Sequence, residues 1–282
     1  MSEIIQSNVS VLSFGEMIKL MPSRAEDSHK GDFGHSLLVG GNTGFSGAIR
    51  LASEAALRVG SGLVSVATKV EHAAYMTMSR PELMCHGVDD KKTLTSLSQK
   101  CNVIGLGPGL GQTRWSTKLF EQALDVSLPM VVDADALNLL STSPRKSNRW
   151  VLTPHVGEAA RLLNCSTEQI QKDRPAAIKK LQHEYGGVVV LKGSGSLVFD
   201  GTGDVYICDA GNSGMASGGM GDVLTGVIAG LIAQGLTCFD AAKLGVVLHA
   251  TAGDRAAQQG KVGLLASDLM QPIRELINDH KK

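Results

Sequence analysis

The sequence predicts an α/β fold with a mostly parallel central sheet and helices on both faces. Three observations lead there. Short apolar runs rich in Val, Ile and Leu recur along the 282 residues, separated by longer stretches with helical spacing. Glycine is abundant at 33 residues and aromatics are scarce at 4%, which suits close helix–sheet packing and loops whose backbone approaches a ligand. Hydrophobic residues at 43% and charged ones at 19% exclude wholesale disorder, and a chain this long buries a full core.

Taken in order, residues 1–27 lack a period and are assigned no role in the fold. Strands are expected at 36–39 and 63–67, with a helix between them at 46–59 whose small residues permit close packing on the sheet. A strand at 103–106, a helix at 114–124 and strands at 130–132 and 150–152 follow. Helices at 156–163 and 167–184 precede a strand at 188–191, after which SLVFD and VYICD read as paired strands. Helices at 222–234 and 239–258 lead to a last one over Ser267–His280, with Ser267 as N-cap and Asp268 in its first turn. No linker or repeat interrupts this series, so one domain over residues 1–282 is expected.

Charge narrows the function. Equal counts of 27 Lys+Arg and 27 Asp+Glu argue against a nucleic-acid or anionic-membrane binder. The longest apolar run, 223–236, is 14 residues and includes Gly226, Gly230 and Gln234, short of the roughly 20 residues of a membrane span. The N-terminus lacks a basic lead and a long apolar stretch, so no signal peptide is expected. Cys85, Cys101, Cys165, Cys208 and Cys238 are scattered and form no C-x-x-C pair. They read as the reduced thiols of a cytoplasmic protein.

In parallel sheets, ligands bind where strands end and helices begin. The most informative such segment is GNSGMASGGMGD, with five glycines in residues 211–222, running into an apolar helix. Its N–H groups and the positive end of the helix dipole form an anion site suited to phosphate. Asp222 is then a carboxylate beside that site, able to take a proton from a hydroxyl attacking phosphorus. The structural alternative is a helix cap.

Other strand ends add to it. LKGSGS at 191–196 is a small-residue turn that lets a nucleotide lie against the backbone, with Lys192 adding charge, or else a plain hairpin. GLGPGLG at 105–111 carries Pro108 where a dinucleotide fingerprint needs its G-x-G-x-x-G spacing. It accepts a flat ligand or is merely a tight turn. TPHVGE at 153–158 exposes His155 at a strand end with Glu158 on the next helix. The pair could orient a substrate and a magnesium-bound water, or be a loop residue and a first-turn carboxylate. In VVDADALN, Asp135 is placed as the N-cap of a short helix and Asp133 facing the cleft, with a two-carboxylate metal site as the alternative. Residues 44–48 read as a cleft wall, and the remaining histidines and all cysteines as structural.

The segments KGDFGHSLLVGGNTGFSGAIRLASEAALRVGSGLVSVAT, GLGPGLG, VVDADALNLL, LTPHVGEAARLL, VLKGSGSLV and GNSGMASGGMGDVLTGVIAGLIAQG occur in this order. Together they resemble the ribokinase-like superfamily and, within it, the ADP- or ATP-dependent NAD(P)H-hydrate dehydratases, over about residues 28–278. Ser213 stands where many relatives carry proline.

The resemblance implies a three-layer sandwich and dehydration of the S-form of hydrated NADH or NADPH. A nucleotide phosphorylates the added hydroxyl, phosphate leaves, and the ring is restored. ADP is the favoured donor, giving AMP and phosphate, with Mg2+ as cofactor. Asp222 would be the base, and the 218–221 backbone would hold the transferring phosphoryl group. Lys192, Gly193, Ser194, Gly195, Ser196 and Gly221 would bind the nucleotide. Ala48, Gly107, Gly109 and His155, with Asp222, would line the hydrate site, and Glu158 would help place magnesium, directly or through water. It also implies a homo-oligomer, a tetramer, and a separate epimerase as partner, since no epimerase segment accompanies these motifs. A small-molecule kinase of the same superfamily, acting on a hydroxymethylpyrimidine or thiazole alcohol, would use the same Asp222 loop. The T-P-H-x-G-E and K-G-x-x-G-H pairing argues against it. A nucleotide-binding regulator is a third reading, opposed by the intact Asp222.

Overall fold

The computed structural model describes residues 9–78 and 80–279, in which ten strands share one sheet. They are β1 (Val9–Val11), β2 (His35–Val39), β3 (Leu63–Thr68), β4 (Met84–Gly87), β5 (Val103–Leu106), β6 (Met130–Val132), β7 (Trp150–Leu152), β8 (Val188–Leu191), β9 (Ser196–Phe199) and β10 (Val205–Cys208). The order across the sheet is β1-β10-β9-β8-β7-β6-β5-β2-β3-β4. Neighbours from β8 to β4 are parallel, and β9 pairs antiparallel with both β8 and β10. Val39 pairs with Leu106, Leu106 with Val132, and Val132 with Leu152. Four strands therefore end level, and their loops leave the sheet along one line.

Period-2 alternation splits the core into two layers. Leu38, Val66, Val103, Val131, Val151 and Val190 pack on one face, under the helices Ser46–Val59, Met220–Ala233, Cys238–Ala256 and Met270–Asp279. Leu37, Val39, Leu106, Val132, Leu152 and Leu191 pack on the other, under Arg114–Leu124, Ala134–Thr142, Val156–Leu162 and Arg174–Tyr185. This is the expected α/β sandwich. On the first face, Met220–Ala233 lies so close to Ser46–Val59 that a Cβ at Gly226 would collide with the Ala52 carbonyl. Only glycine permits that approach, so the two helices run side by side from a shared start beside the strand ends.

Several expectations need correction. The 1–27 segment does take part in the fold: Val9–Val11 adds a parallel edge strand on β10, and Leu12 and Ile18 are core residues. Residues 1–8 of it lie outside the described residues. The expected 167–184 helix is two helices, Thr167–Lys172 and Arg174–Tyr185, because Asp173 caps the second through the Ala176 N–H and Pro175 sits in its first turn. Ser267 is no N-cap. It sits in a 3-10 turn, Ala266–Leu269, whose Asp268 carboxylate accepts the Leu265 N–H, and the helix proper is Met270–Asp279. His280, its expected last residue, lies outside the described residues. Helices Val70–Met76 and Lys91–Ser98 and strand β4 were not anticipated from the pattern. No helix among the described residues is long and apolar enough to cross a membrane.

Candidate active site

Four strand ends and the glycine-rich loop meet at one polar cluster. Directly after β6, Asp133 is 1% exposed and its side chain makes no cap bond, although its backbone occupies the N-cap position of Ala134–Thr142. Its carboxylate instead accepts from Lys192 Nζ at 2.6 Å and from the Thr225 hydroxyl at 2.7 Å. The expected capping roles are thus rearranged. Asp135 lies in the first turn and accepts the Gly111 N–H at 2.7 Å, fastening the 107–113 loop.

Lys192 follows β8 and is drawn inward rather than toward solvent. Its N–H donates to the Pro154 carbonyl, and a parallel bridge to His155 extends the sheet by one step. Its ammonium lies 3.8 Å from Glu158 as well as on Asp133. Burial pulls its pKa down, but the Asp133 and Glu158 carboxylates outweigh burial and the net shift is upward.

His155 caps Val156–Leu162: its Nδ1 accepts the Gly157 N–H at 2.9 Å, while Glu158 accepts the His155 N–H at 2.7 Å. The capping bond directs the neutral ring's proton to Nε2, on a side chain that is 53% exposed. Burial, then the Lys192 charge, lowers the His155 pKa, keeping the ring neutral. Burial raises Glu158 to about 7, against the pull of Lys192.

The glycine loop supplies the fourth side. Gly219, in left-handed geometry at φ 91°, is the N-cap of Met220–Ala233, and no side chain caps this helix. The N–H groups of residues 218–222 donate to no hydrogen bond among the described residues, which leaves a row of donors at the positive end of the dipole. Asp222 is in the first turn, not at the cap, so the capping alternative is not realised. Burial, then the neighbouring Asp133 charge, pushes its pKa up to about 7, against the opposing pull of Lys192. Gly221 lies against Lys192, since a Cβ there would be 3.2 Å from Nζ.

Sequence reasoning singled out Asp222, Gly221, Lys192, His155 and Glu158, and the structure brings them together. Gly107 adjoins them through the Asp133 carbonyl. Gly109 and Ala48 adjoin each other one loop away, a Cβ on Gly109 falling 3.1 Å from that of Ala48. Lys192, Gly193, Ser194 and Gly195 form the turn between β8 and β9, which Ser196 begins, so this turn is indeed a hairpin, and Lys192 of the segment bonds Asp133 in the cluster.

Three contributors were missed. Thr225 lies one helical turn beyond Asp222, a spacing that places both on one face of the helix. Arg174 donates to the Ser194 carbonyl at 2.6 Å and the Leu191 carbonyl at 3.1 Å, gripping the turn from a helix start. Asn42 joins the 40–45 and 110–116 segments through the Leu110 carbonyl and the Thr113 and Ser116 hydroxyls. Nothing in the local sequence of Arg174 or Asn42 signals these long-range bonds. His249, left as structural, is buried beside the Met220 backbone with its Nε2 unpaired, and burial lowers its pKa to about 4.

For a divalent cation the donor set offers two buried or nearly buried carboxylates, Asp133 and Glu158, already sharing one ammonium. No group of three His, Cys, Asp or Glu side chains converges among the described residues. Such a pair fits magnesium, which keeps waters and takes one or two carboxylates alongside substrate phosphates.

A family model described as NAD(P)H-hydrate dehydratase matches residues 36–275. The chain is 49% identical over 273 residues, 96% of its length, to a bifunctional NAD(P)H-hydrate repair enzyme of Coxiella burnetii, of which it covers 56%. It is 38% identical to an ADP-dependent (S)-NAD(P)H-hydrate dehydratase of Neisseria meningitidis, with 91% of this chain and 89% of that one covered. Among solved structures, an ADP/ATP-dependent NAD(P)H-hydrate dehydratase of Bacillus subtilis, co-crystallized with ATP/Mg2+, superposes with a TM-score of 0.88. It shares 28% identity over 97% of this chain and 99% of that one. The chain spans about half the length of the bifunctional relatives it matches.

Proposed function

The chain belongs to the NAD(P)H-hydrate dehydratase family, and we propose that it dehydrates the S-form of hydrated NADH or NADPH using an adenine nucleotide, ADP in preference to ATP. One observation carries the reading: an uncapped row of N–H donors and a carboxylate poised near neutrality occupy the same helical turn.

The chemistry follows from that pairing. The hydrate's hydroxyl leaves poorly, so it must first become a phosphate ester. Asp222 takes the hydroxyl proton as the oxygen attacks the terminal phosphorus of ADP; the bridging P–O bond breaks and AMP departs. Charge on the transferring group is met by the 218–221 N–H groups and by Lys192. Phosphate then leaves from carbon, and loss of a ring proton restores the dihydronicotinamide. A base whose pKa lies near 7 is ionised often enough to act and basic enough to accept.

The 192–196 turn and Gly221 form the nucleotide side of the cleft, and Ala48, Gly107, Gly109 and His155 the hydrate side. Neutral His155 can donate from Nε2 to a carbonyl or hydroxyl of the substrate. Asp133 and Glu158 would hold magnesium, which neutralises phosphate charge when bound. Asp133, through Lys192 and Thr225, also keeps the ammonium and the helix start in place.

A cytoplasmic homo-oligomer, a tetramer, working beside a separate epimerase completes the proposal. Purified protein incubated with prepared NADH hydrate, magnesium and ADP or ATP should restore the reduced-nicotinamide absorbance. Absence of recovery with both donors overturns it.

A further inference from the structure

The helices Ser46–Val59 and Met220–Ala233 begin at the active site, and their other ends border a second cavity of about 370 Å³. Its wall carries Arg24, Arg58, Arg80 and Arg274 against Glu54 and Glu82. Arginines at helix C-termini ordinarily serve the last carbonyls, and part of this set does so. Arg24 donates to the Gly60 carbonyl, and the Gln234 amide donates to Val59 and Gly230 at 3.2 and 2.8 Å.

The rest exceeds that need. Glu54 alone receives Arg58 at 3.5 Å, Arg50 at 3.8 Å and Arg80. The Arg80 Nε is buried without a hydrogen-bond acceptor, and the Arg274 guanidinium has no ion pair among the described residues. Guanidinium forks in a concave, partly desolvated wall match the oxygens of phosphate, which accept two parallel N–H bonds per fork. The volume suits a small ligand rather than a macromolecule.

We infer that this cavity binds a small soluble phosphate compound, a phosphate monoester or a pyrophosphate, at a site separate from the catalytic one. Arg58, Arg80 and Arg274 grip the phosphate oxygens, while Glu54 keeps the arginines mutually spaced.

Inorganic pyrophosphate titrated calorimetrically into the full chain, with ADP and magnesium saturating the strand-end site, tests this. One-to-one binding is expected, weakened about tenfold by Arg274→Glu and similarly by Arg58→Gln, the worth of one charge-assisted hydrogen bond. Arg274 is exposed, so its variant should fold as the parent does. Leaving out ADP should not change the affinity of the Arg274-dependent site. If heat appears only when ADP is left out and Arg274→Glu keeps it, pyrophosphate occupies the glycine loop and the second site does not exist. Absence of saturable binding at millimolar pyrophosphate overturns the inference, as does Arg274→Glu altering only the oligomeric mass, which would assign the arginines to a second copy of the chain. Vesicles containing phosphatidic acid should leave the protein in the supernatant; co-sedimentation would replace the soluble ligand by a lipid headgroup.

Discussion

The 192–196 turn and the 211–221 loop are both glycine-rich and meet at Lys192, yet their backbones stand in opposite conditions. In the turn, Arg174 takes the Leu191 and Ser194 carbonyls, and the Ser196 hydroxyl donates to the Gly193 carbonyl at 3.1 Å. The loop is tied down in its first half, by Asp254 to Gly211 and Asn212, by the Gly214 N–H to the Asn212 side chain, and by the Ser217 hydroxyl to the Leu264 carbonyl. Its later N–H groups are left open. Glycine therefore does two different things here. In the turn it shapes a segment whose carbonyls are already taken, and in the loop it exposes a row of donors at a helix start that become satisfied when an anion arrives.

The largest effect should come from the carboxylate beside the open donors. Asp222→Asn is expected to lower turnover by roughly 10²–10⁴, the worth of a positioned base, while ADP affinity persists. Wild-type turnover in a folded variant would remove the base and dissolve the distinction between the two segments. In the parent, kcat/KM should rise with pH through about 7, as Asp222 ionises. Stability runs the other way. The folded-state pKa lies above the unfolded one, so the native state binds the extra proton between about pH 4 and 7 and loses stability as pH rises across that window. Asp222→Asn should accordingly raise Tm at pH 8 and leave it nearly unchanged at pH 4.

Gly219→Ala attacks the loop itself. Its φ of 91° and a Cβ 2.6 Å from Leu51 Cδ1 impose strain of about 1–3 kcal/mol, and turnover should drop at least about fivefold. Undiminished kinetics would mean that the loop's geometry is not used. Gly193→Val should be milder and different in kind, raising the KM for nucleotide about fivefold while sparing that for hydrate, because φ is 153° and the added carbon would sit 3.1 Å from Arg174 Nη2. A selective loss of hydrate instead would reverse the assignment of the two sides. The smallest effect is expected from Arg174→Gln, a rise of about threefold in nucleotide KM through a loosened turn. An unchanged value would show that the hairpin alone suffices.

Strand and helix periods carried most of the architecture. The helices 46–59 and 114–124 appear with the expected bounds, because their small or amphipathic faces are unambiguous over many residues. What escaped is mostly short or long-range. Val9–Val11 is three residues whose pairing depends on β10, whose partner residues begin at Val205. The site was recognisable at Asp222, His155 and Lys192 because strand-end position and residue type coincide there. Asp133 was placed facing the cleft, but its partners could not be named: Thr225 is distant in sequence, and the short helix after β6 begins two residues earlier than an N-cap at Asp135 implies. Lys192 shows the limit of residue type most clearly. A cation in a glycine turn reads as a surface contact for phosphate, whereas two buried carboxylates draw it inward.

The short β1 also bears on solubility. By lying along β10 it occupies main-chain groups that would otherwise form the open rim of the nine remaining strands. An unpaired rim is a template for strand exchange between molecules. Residues 9–11 thus cover the β10 rim, and a fusion or trimming that pulled them away would expose it to strand exchange and incline the protein to aggregate, even with every group of the active site intact.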